Sequence, residues 1–321
     1  MRKRWLWLIC SFLAIYLVNF LIPRLMPGDP FRYTSSVSGD DLDAGYSAEQ
    51  VEQLRAYYRL DEPLAGQLLD STARALRGDL GDSIYYKKPV AEVLAERLPW
   101  SLGLMAASLA VSLTAGTLFA LWAARRRNAD RVLYPVCSVL AEVPAFLLGV
   151  LLLFLVAARV KWIPLSGGVT PFARYTDFGE QFSDLLIHAL MPLCAMALAQ
   201  LPQFFFTARA CFLAELEKPY LLAARAKGLR EGRIRFHYLL KNSAAALVAR
   251  LFLSVSTAVG ATLLVENVFA YPGVGRVLRE AVAYRDFPMI QGVFLISSLL
   301  VLLCLFLADR INGDSAGGAG G

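Results

Sequence analysis

Tyr220–Asn242, YLLAARAKGLREGRIRFHYLLKN, decides the fold of this chain. It holds six Lys or Arg (Arg225, Lys227, Arg230, Arg233, Arg235 and Lys241) against one acid, Glu231. Long apolar runs flank it, SDLLIHALMPLCAMALAQLPQFFF before and SAAALVARLFLSVSTAVGATLLV after. A basic residue at a bilayer centre costs about 2.5–3.5 kcal/mol, whereas each Leu contributes only a few tenths in the other direction. Six cations therefore keep the segment out of hydrocarbon, and it must lie in water beside a membrane that its neighbours cross.

The rest of the composition agrees. The chain is 57% hydrophobic and only 18% charged, below the roughly 25% of soluble domains. Several runs reach the roughly 20 apolar residues that span a bilayer core. No ten-residue segments alternate with period two, which a membrane barrel requires. The net charge of +6 reflects basic loops on one membrane face and does not point to nucleic acid. Cys10, Cys137, Cys194 and Cys304 sit in apolar runs and Cys211 at the edge of the basic segment. With His188 and His237 far apart, no metal-ligand spacing appears and no metal site is expected.

Taken in order, Arg2, Lys3 and Arg4 precede the apolar run Trp5–Ile22, an uncleaved first span within 1–27. Residues 28–97 form an acidic extramembrane lobe, in which 31–97 carry 12 Asp or Glu against 8 Lys or Arg. A capped helix start is expected at Ser47-Ala48-Glu49-Gln50 and a turn at Leu80-Gly81-Asp82-Ser83. A core over 98–310 supplies the remaining spans, at 98–123, 132–157, 183–207, 243–265 and 287–308, and 311–321 reads as a disordered tail. The expected fold is thus all-α, a six-span helical bundle. Lys and Arg concentrate at the N-terminus, in 124–131 and in 208–242, so both termini and the basic segment are expected in the cytoplasm.

Two further places attract attention. Glu142 and Pro144 lie inside the expected third span, where an ionisable group usually faces a bundle interior or a water-filled path and a proline kinks the helix. Pro192 and Pro202 are expected to kink the fourth span likewise. Arg250, near the start of the fifth, is expected to snorkel to the interface. The stretch 260–292 then reads as an external hairpin: Glu266 closes span five, Pro272-Gly273 turns the chain, and Val274, Val277, Leu278 and Ala281 share a face of a short amphipathic helix. Arg285-Asp286-Phe287-Pro288 leads into span six. There is no phosphate-binding G-x-x-x-x-G-K-[ST], so ATP is not bound by that route. H-E-x-x-H and G-x-S-x-G hydrolase signatures are also missing. An intramembrane enzyme using Glu142 or Glu266 stays a separate alternative, as does a secondary transporter, although the internal hydropathy symmetry of inverted repeats is not evident.

Ala223-Ala224-Arg225-Ala226-Lys227-Gly228-Leu229, followed by Leu240-Lys241-Asn242, resembles the "EAA" cytoplasmic loop of ABC importer permeases, in its peptide/nickel form. Arg24-Leu25-Met26-Pro27-Gly28-Asp29-Pro30 is similar to that branch's first-span signature. Glu266 to Arg276, with Arg285-Asp286-Phe287-Pro288 and Gln291-Gly292, looks like its external hairpin. The chain departs from the family at Leu222, where the triplet has Glu, and at Lys241, which stands for a Pro.

The resemblance implies a type I importer permease fold and no enzymatic activity in this chain. ATP and Mg would be used by two separate cytoplasmic ATPase subunits, and this chain would bind no cofactor. Leu222, Ala226 and Leu229 would offer those subunits an apolar face, Ala223 and Ala224 close approach, and Gly228 a turn, with Lys227 and Asn242 completing the coupling set. Glu266, Pro272, Gly273, Gly275, Arg285, Asp286 and Pro288 would form the external gate, and Glu142 and Pro144 would lie on the translocation path. A second permease subunit, as a heterodimer, and an extracytoplasmic binding protein delivering di- or oligopeptides would complete the assembly in a bacterial inner membrane. Nickel, metal-chelate or opine import on the same fold is the alternative.

Overall fold

The computed structural model describes residues 2–25, 33–35, 41–43, 47–59 and 61–317. Pro27-Gly28-Asp29-Pro30 of the first-span signature lies outside them, as do 318–321 of the expected tail. Within the described residues the chain is helical apart from loops and one two-stranded antiparallel pair, β1 (Tyr33–Ser35) with β2 (Asp41–Asp43), in which Thr34 faces Leu42.

Helix α1 is Arg2–Leu25, α2 Ala48–Tyr57, α3 Leu64–Ala75 and α4 Val90–Arg125. Helix α5 is Arg127–Ala141, and α6, Ala145–Leu152, runs on through a π-helical turn to Ala157. Helix α7 is Phe178–Leu216, α8 Pro219–Ala226, and α9 the single turn Glu231–Arg233, which continues as π-helix over Ile234–Leu239. Helices α10 (Leu240–Val268), α11 (Val274–Ala283) and α12 (Phe287–Gly317) follow. Residues 311–317, expected in the tail, are therefore part of α12.

Four of these helices, α4, α7, α10 and α12, are long and apolar enough to cross a membrane, and α5 with α6 counts as a fifth, broken span. Within α1 the apolar stretch Cys10–Leu25 is shorter than these. The third span differs from expectation. The sequence predicts one kinked helix over 132–157, but α5 and α6 meet at 102°. Pro144 has no N–H and disfavours the helical conformation at Val143; here it forms the extended N-cap of α6, while Glu142 caps the end of α5. By contrast α7 stays one helix through Pro192 and Pro202.

The chain divides into two compact units, residues 1–100 with 273–302 and residues 101–272 with 303–321. In the first, Phe20, Val90, Leu94, Met289 and Val293 are buried almost completely. The Asn19 amide donates to Ser298 Oγ at 3.1 Å, and Arg24 Nε to Gln67 Oε1 at 2.8 Å. Helix α2 begins with the expected box: Ser47 Oγ accepts from the Gln50 N–H, and Gln50 Oε1 accepts from the Ser47 N–H. That reciprocal pair satisfies two donors that a helix start otherwise leaves orphaned. In the second unit α7 is central and packs on α5, α6 and α10, burying Met196, Phe204, Phe205, Ala208 and Phe212.

Candidate functional site

The basic segment is anchored by its apolar residues and displayed by its small ones. Leu221 (0% exposed) and Ala224 (5%) join Phe205, Phe212, Ile234, Leu239 and Leu247 in one buried cluster, with Leu229 half-buried against it. Ala223, Ala226, Lys227 and Gly228 are exposed. This corrects the expected division: Ala224 faces the core and Leu229 packs toward it. Leu222 lies within α8, and its side chain is outside the described residues.

Gly228 terminates α8. Its φ of 73° lies in the left-handed region that a Cβ makes costly. The Leu229 N–H reaches back to the Ala224 carbonyl at 3.3 Å and the Lys227 N–H to Ala223 at 3.1 Å. That is a Schellman-type ending, whose residue after the glycine packs back on the last turn, as half-buried Leu229 does. The turn role foreseen for Gly228 thus has a concrete form.

Both ends of the segment converge on Glu215. Its carboxylate accepts from Lys218 Nζ at 2.5 Å, from the Tyr220 hydroxyl, and from Asn242 Nδ2 at 3.3 Å, while Asn242 Nδ2 also lies 2.7 Å from the Tyr220 oxygen. Burial, with the Glu215 carboxylate beside it, holds the Tyr220 phenol above its ordinary pKa. Asn242 therefore ties the segment to the start of α10 by a network that sequence reading did not assemble.

The hairpin divides between the two compact units. In the second unit Glu266 is fully buried, accepts from Ser101 Oγ at 2.6 Å, and its carbonyl receives the Tyr271 N–H at 2.8 Å. Burial, with the nearby Glu266 charge, pushes the Tyr271 phenol up to about 12. Pro272 is half-buried at the turn. In the first unit Gly273 caps α11, and Val274, Gly275, Val277 and Ala281 are buried along it, with Leu278 partly so, the expected face. Arg285 adopts a φ of 52°, and fully buried Asp286 caps α12 by accepting the Met289 N–H at 3.1 Å. Half-buried Pro288 follows. Asp286 also accepts from Ser83 Oγ and, at 3.1 Å, from the Tyr85 N–H. Nearby, Tyr86 donates to Glu280, which Arg276 Nε approaches at 2.9 Å.

Glu142 and Pro144, at the α5–α6 break, are both exposed. Among residues the sequence reading did not connect, Arg209 binds Asp130 through Nε at 2.5 Å and Nη2 at 2.7 Å. Arg250, expected at the interface, donates to Gln203 of α7. Gln200 donates to Thr257 at 3.2 Å one step further along the same helix pair. An Arg and two Gln inside otherwise apolar runs were the available signal for that seam.

The family described as "Binding-protein-dependent transport system inner membrane component" matches residues 116–313. Over 292 residues, 90% of this chain and 89% of the other, the sequence is 30% identical to a probable peptide ABC transporter permease protein of Sinorhizobium fredii. It is 31% identical to the glutathione transport system permease protein of Pectobacterium atrosepticum, covering 96% of this chain and 94% of that one. Among solved structures, a chain of the MetNI methionine ABC transporter in an inward-facing form aligns with TM-score 0.48 and 20% identity, covering 69% of this chain and 92% of that one. A family match over well above half of a multi-span helical chain, joined by near full-length relatives, places it: the chain belongs to the binding-protein-dependent transport system inner membrane components and is a permease subunit of an ABC importer.

Proposed function

We propose that this permease translocates di- or oligopeptides delivered by an extracytoplasmic binding protein, as one half of a heterodimeric permease pair driven by two cytoplasmic ATPase subunits. Both termini and the basic segment then lie in the cytoplasm, and ATP with Mg is used by the partner subunits. The peptide and glutathione permeases among its relatives support the substrate class.

The observation that carries the reading is the two-faced build of α8. Leu221 and Ala224 fasten it to the buried cluster that also holds α7 residues Phe205 and Phe212, while Ala223, Ala226 and Lys227 stand exposed beside the Gly228 turn. A short helix fixed to the bundle on one side and bare on the other suits a handle. An ATPase gripping the bare side moves the spans when nucleotide closes it, because it binds the two transport states with different affinity.

The test is Ala226→Glu in the whole transporter. The substitution adds bulk and charge to the exposed face and leaves the Leu221–Ala224 anchor alone. Expected are unchanged amounts of the chain in the membrane, loss of ATPase co-purification and at least tenfold slower peptide uptake. Normal uptake with the ATPases still bound would refute the docking role. Failure of the unsubstituted transporter to take up any peptide, with uptake of a nickel chelate or opine instead, would refute the substrate class.

A further inference from the structure

The α7–α10 seam holds two polar pairs, Gln203 with Arg250 and Gln200 with Thr257. Helix α10 bears Lys241 at its start, and Arg250 lies nine residues on, about 14 Å along the axis at 1.5 Å per residue. Arg250 is partly exposed, its Nη2 donates to partly exposed Gln203, and its buried Nε meets no acceptor among the described residues. A guanidinium presents five N–H donors, and among the described residues one is engaged. No carboxylate lies within salt-bridge distance of it among the described residues. Two turns further along, exposed Thr257 receives the Gln200 amide at 3.2 Å, and beside exposed Gly260 a Cβ would meet nothing within 4 Å.

Ionisable groups within spans face a bundle interior or a water-filled cavity and pair there. Arg250 is partly exposed beside Gln203, and no carboxylate among the described residues neutralises its charge. Its hydrogen bond to the neutral Gln203 orients the guanidinium without neutralising it. A planar fork with free donors matches a carboxylate in bidentate geometry.

We propose that Arg250 lies on the water-filled translocation path and receives the carboxylate of the passing substrate, with Gln203 as the group that orients it. Gln200 and Thr257 continue the wet face along the path. This rests on the peptide reading above, since every linear peptide with a free C-terminus brings one carboxylate.

The experiment uses the complete transporter, permease pair, ATPases and binding protein, in proteoliposomes. Uptake of a transported peptide is compared with uptake of its C-terminal amide. Because the same binding protein serves every variant, its own preference cancels when acid-to-amide ratios are compared between variants. The R250Q variant is expected to lower that ratio at least tenfold, and R250K to retain part of it. In parallel, R250C is expected to react with a negatively charged, water-soluble thiol reagent above the background of the unsubstituted chain, and saturating peptide to slow that reaction.

An R250Q variant that slows acid and amide equally would mark Arg250 as packing only and overturn the inference. So would an R250C variant that stays unreactive, because the position would then be dry. If the unsubstituted transporter takes up neither peptide nor amide, the peptide reading fails and the carboxylate assignment falls with it. Reaction at R250C without any selectivity change would leave the peptide reading intact and refute the carboxylate assignment alone.

Discussion

The Ser83 hydroxyl donates a hydrogen bond to the Asp286 carboxylate across 203 residues of sequence, and both side chains are fully buried. Asp286 thereby closes the polar lobe against the start of α12 within one compact unit. The Tyr85 and Met289 N–H groups join Ser83 on the same carboxylate. Leaving a buried donor unmet costs about 1–3 kcal/mol. Asp286→Ala should therefore destabilise this unit by roughly 3 kcal/mol, read as a lower melting temperature of the purified chain in detergent. Asp286→Asn, with a single acceptor oxygen, should fall between the two.

The same carboxyl gives the unit a pH signature. Burial raises its pKa above the ordinary 3.8, while the bonds from Ser83, Tyr85, Met289 and Ile84 oppose the rise only in part. An acid with a raised value binds its proton more tightly in the fold than in the open chain. Its contribution is thus complete below the unfolded value and is lost as pH climbs through the folded one. Melting measured from about pH 4 to about pH 7 should show this decline in the native chain and a flatter profile in Asp286→Asn. Identical slopes would mean that Asp286 does not titrate as the burial demands.

Two glycines permit close packing by different means. A Cβ at Gly292 would stand 2.6 Å from Val90 Cγ1, a side-chain atom. At Gly116 it would stand 2.9 Å from the Leu201 carbonyl oxygen and the Phe205 nitrogen, both backbone. Small residues let membrane helices approach this closely. Gly292→Ala should cost about 1–3 kcal/mol and be relieved by adding Val90→Ala. Gly116→Ala should not be relieved by trimming any side chain, because α4 and α7 must separate to admit it. Double-mutant cycles on thermal stability distinguish the cases.

Gly228 has open space around it, so substitutions there should follow backbone conformation and not volume. A left-handed residue with a Cβ costs about 1–2 kcal/mol, least for Asn and Asp. Gly228→Asn should retain most uptake. Gly228→Val should release the Leu229–Ala224 bond and slow uptake more than tenfold at equal membrane abundance. Equal effects of the two would indicate that a steric contact outside this chain, and not the turn, sets the requirement.

The fold was largely legible because hydrocarbon imposes its length and polarity on any sequence that crosses it. The spans at α4, α7, α10 and α12, the Ser47 box and the buried face of α11 follow from local pattern alone. The phase of α8 did not: Leu221 and Leu222 are adjacent and chemically equal, so only packing against Phe205 and Phe212 reveals Leu221 as the anchor. The break at Pro144 was foreseen as a bend, but its 102° angle is set by what the two halves pack on. Arg250 resembled an interfacial residue by position, and its partner Gln203 lies 47 positions away. Ser83 with Asp286 shows the same limit at greater range, since no short-range signal joins them.

The Glu215 network offers the last test of how the basic segment is held. Lys218, Tyr220 and Asn242 all donate to this one carboxylate, so the entrance to α8 and the start of α10 share a single fastening. The phenol of Tyr220 is held above its ordinary pKa by burial and by Glu215, and it donates as the neutral phenol. Asn242→Ala removes one contact and should loosen the segment by about 1 kcal/mol. Asn242→Asp should do more harm, because it sets a second carboxylate beside Glu215 and Tyr220 has only one proton to donate. Backbone hydrogen exchange over 219–226 should accelerate in the order native, Asn242→Ala, Asn242→Asp. The last variant should partly recover at acidic pH, where the added carboxylate binds a proton. Exchange in α8 that ignores both substitutions would show that the Leu221–Ala224 anchor alone fixes the segment, with Glu215 merely satisfying its own charge.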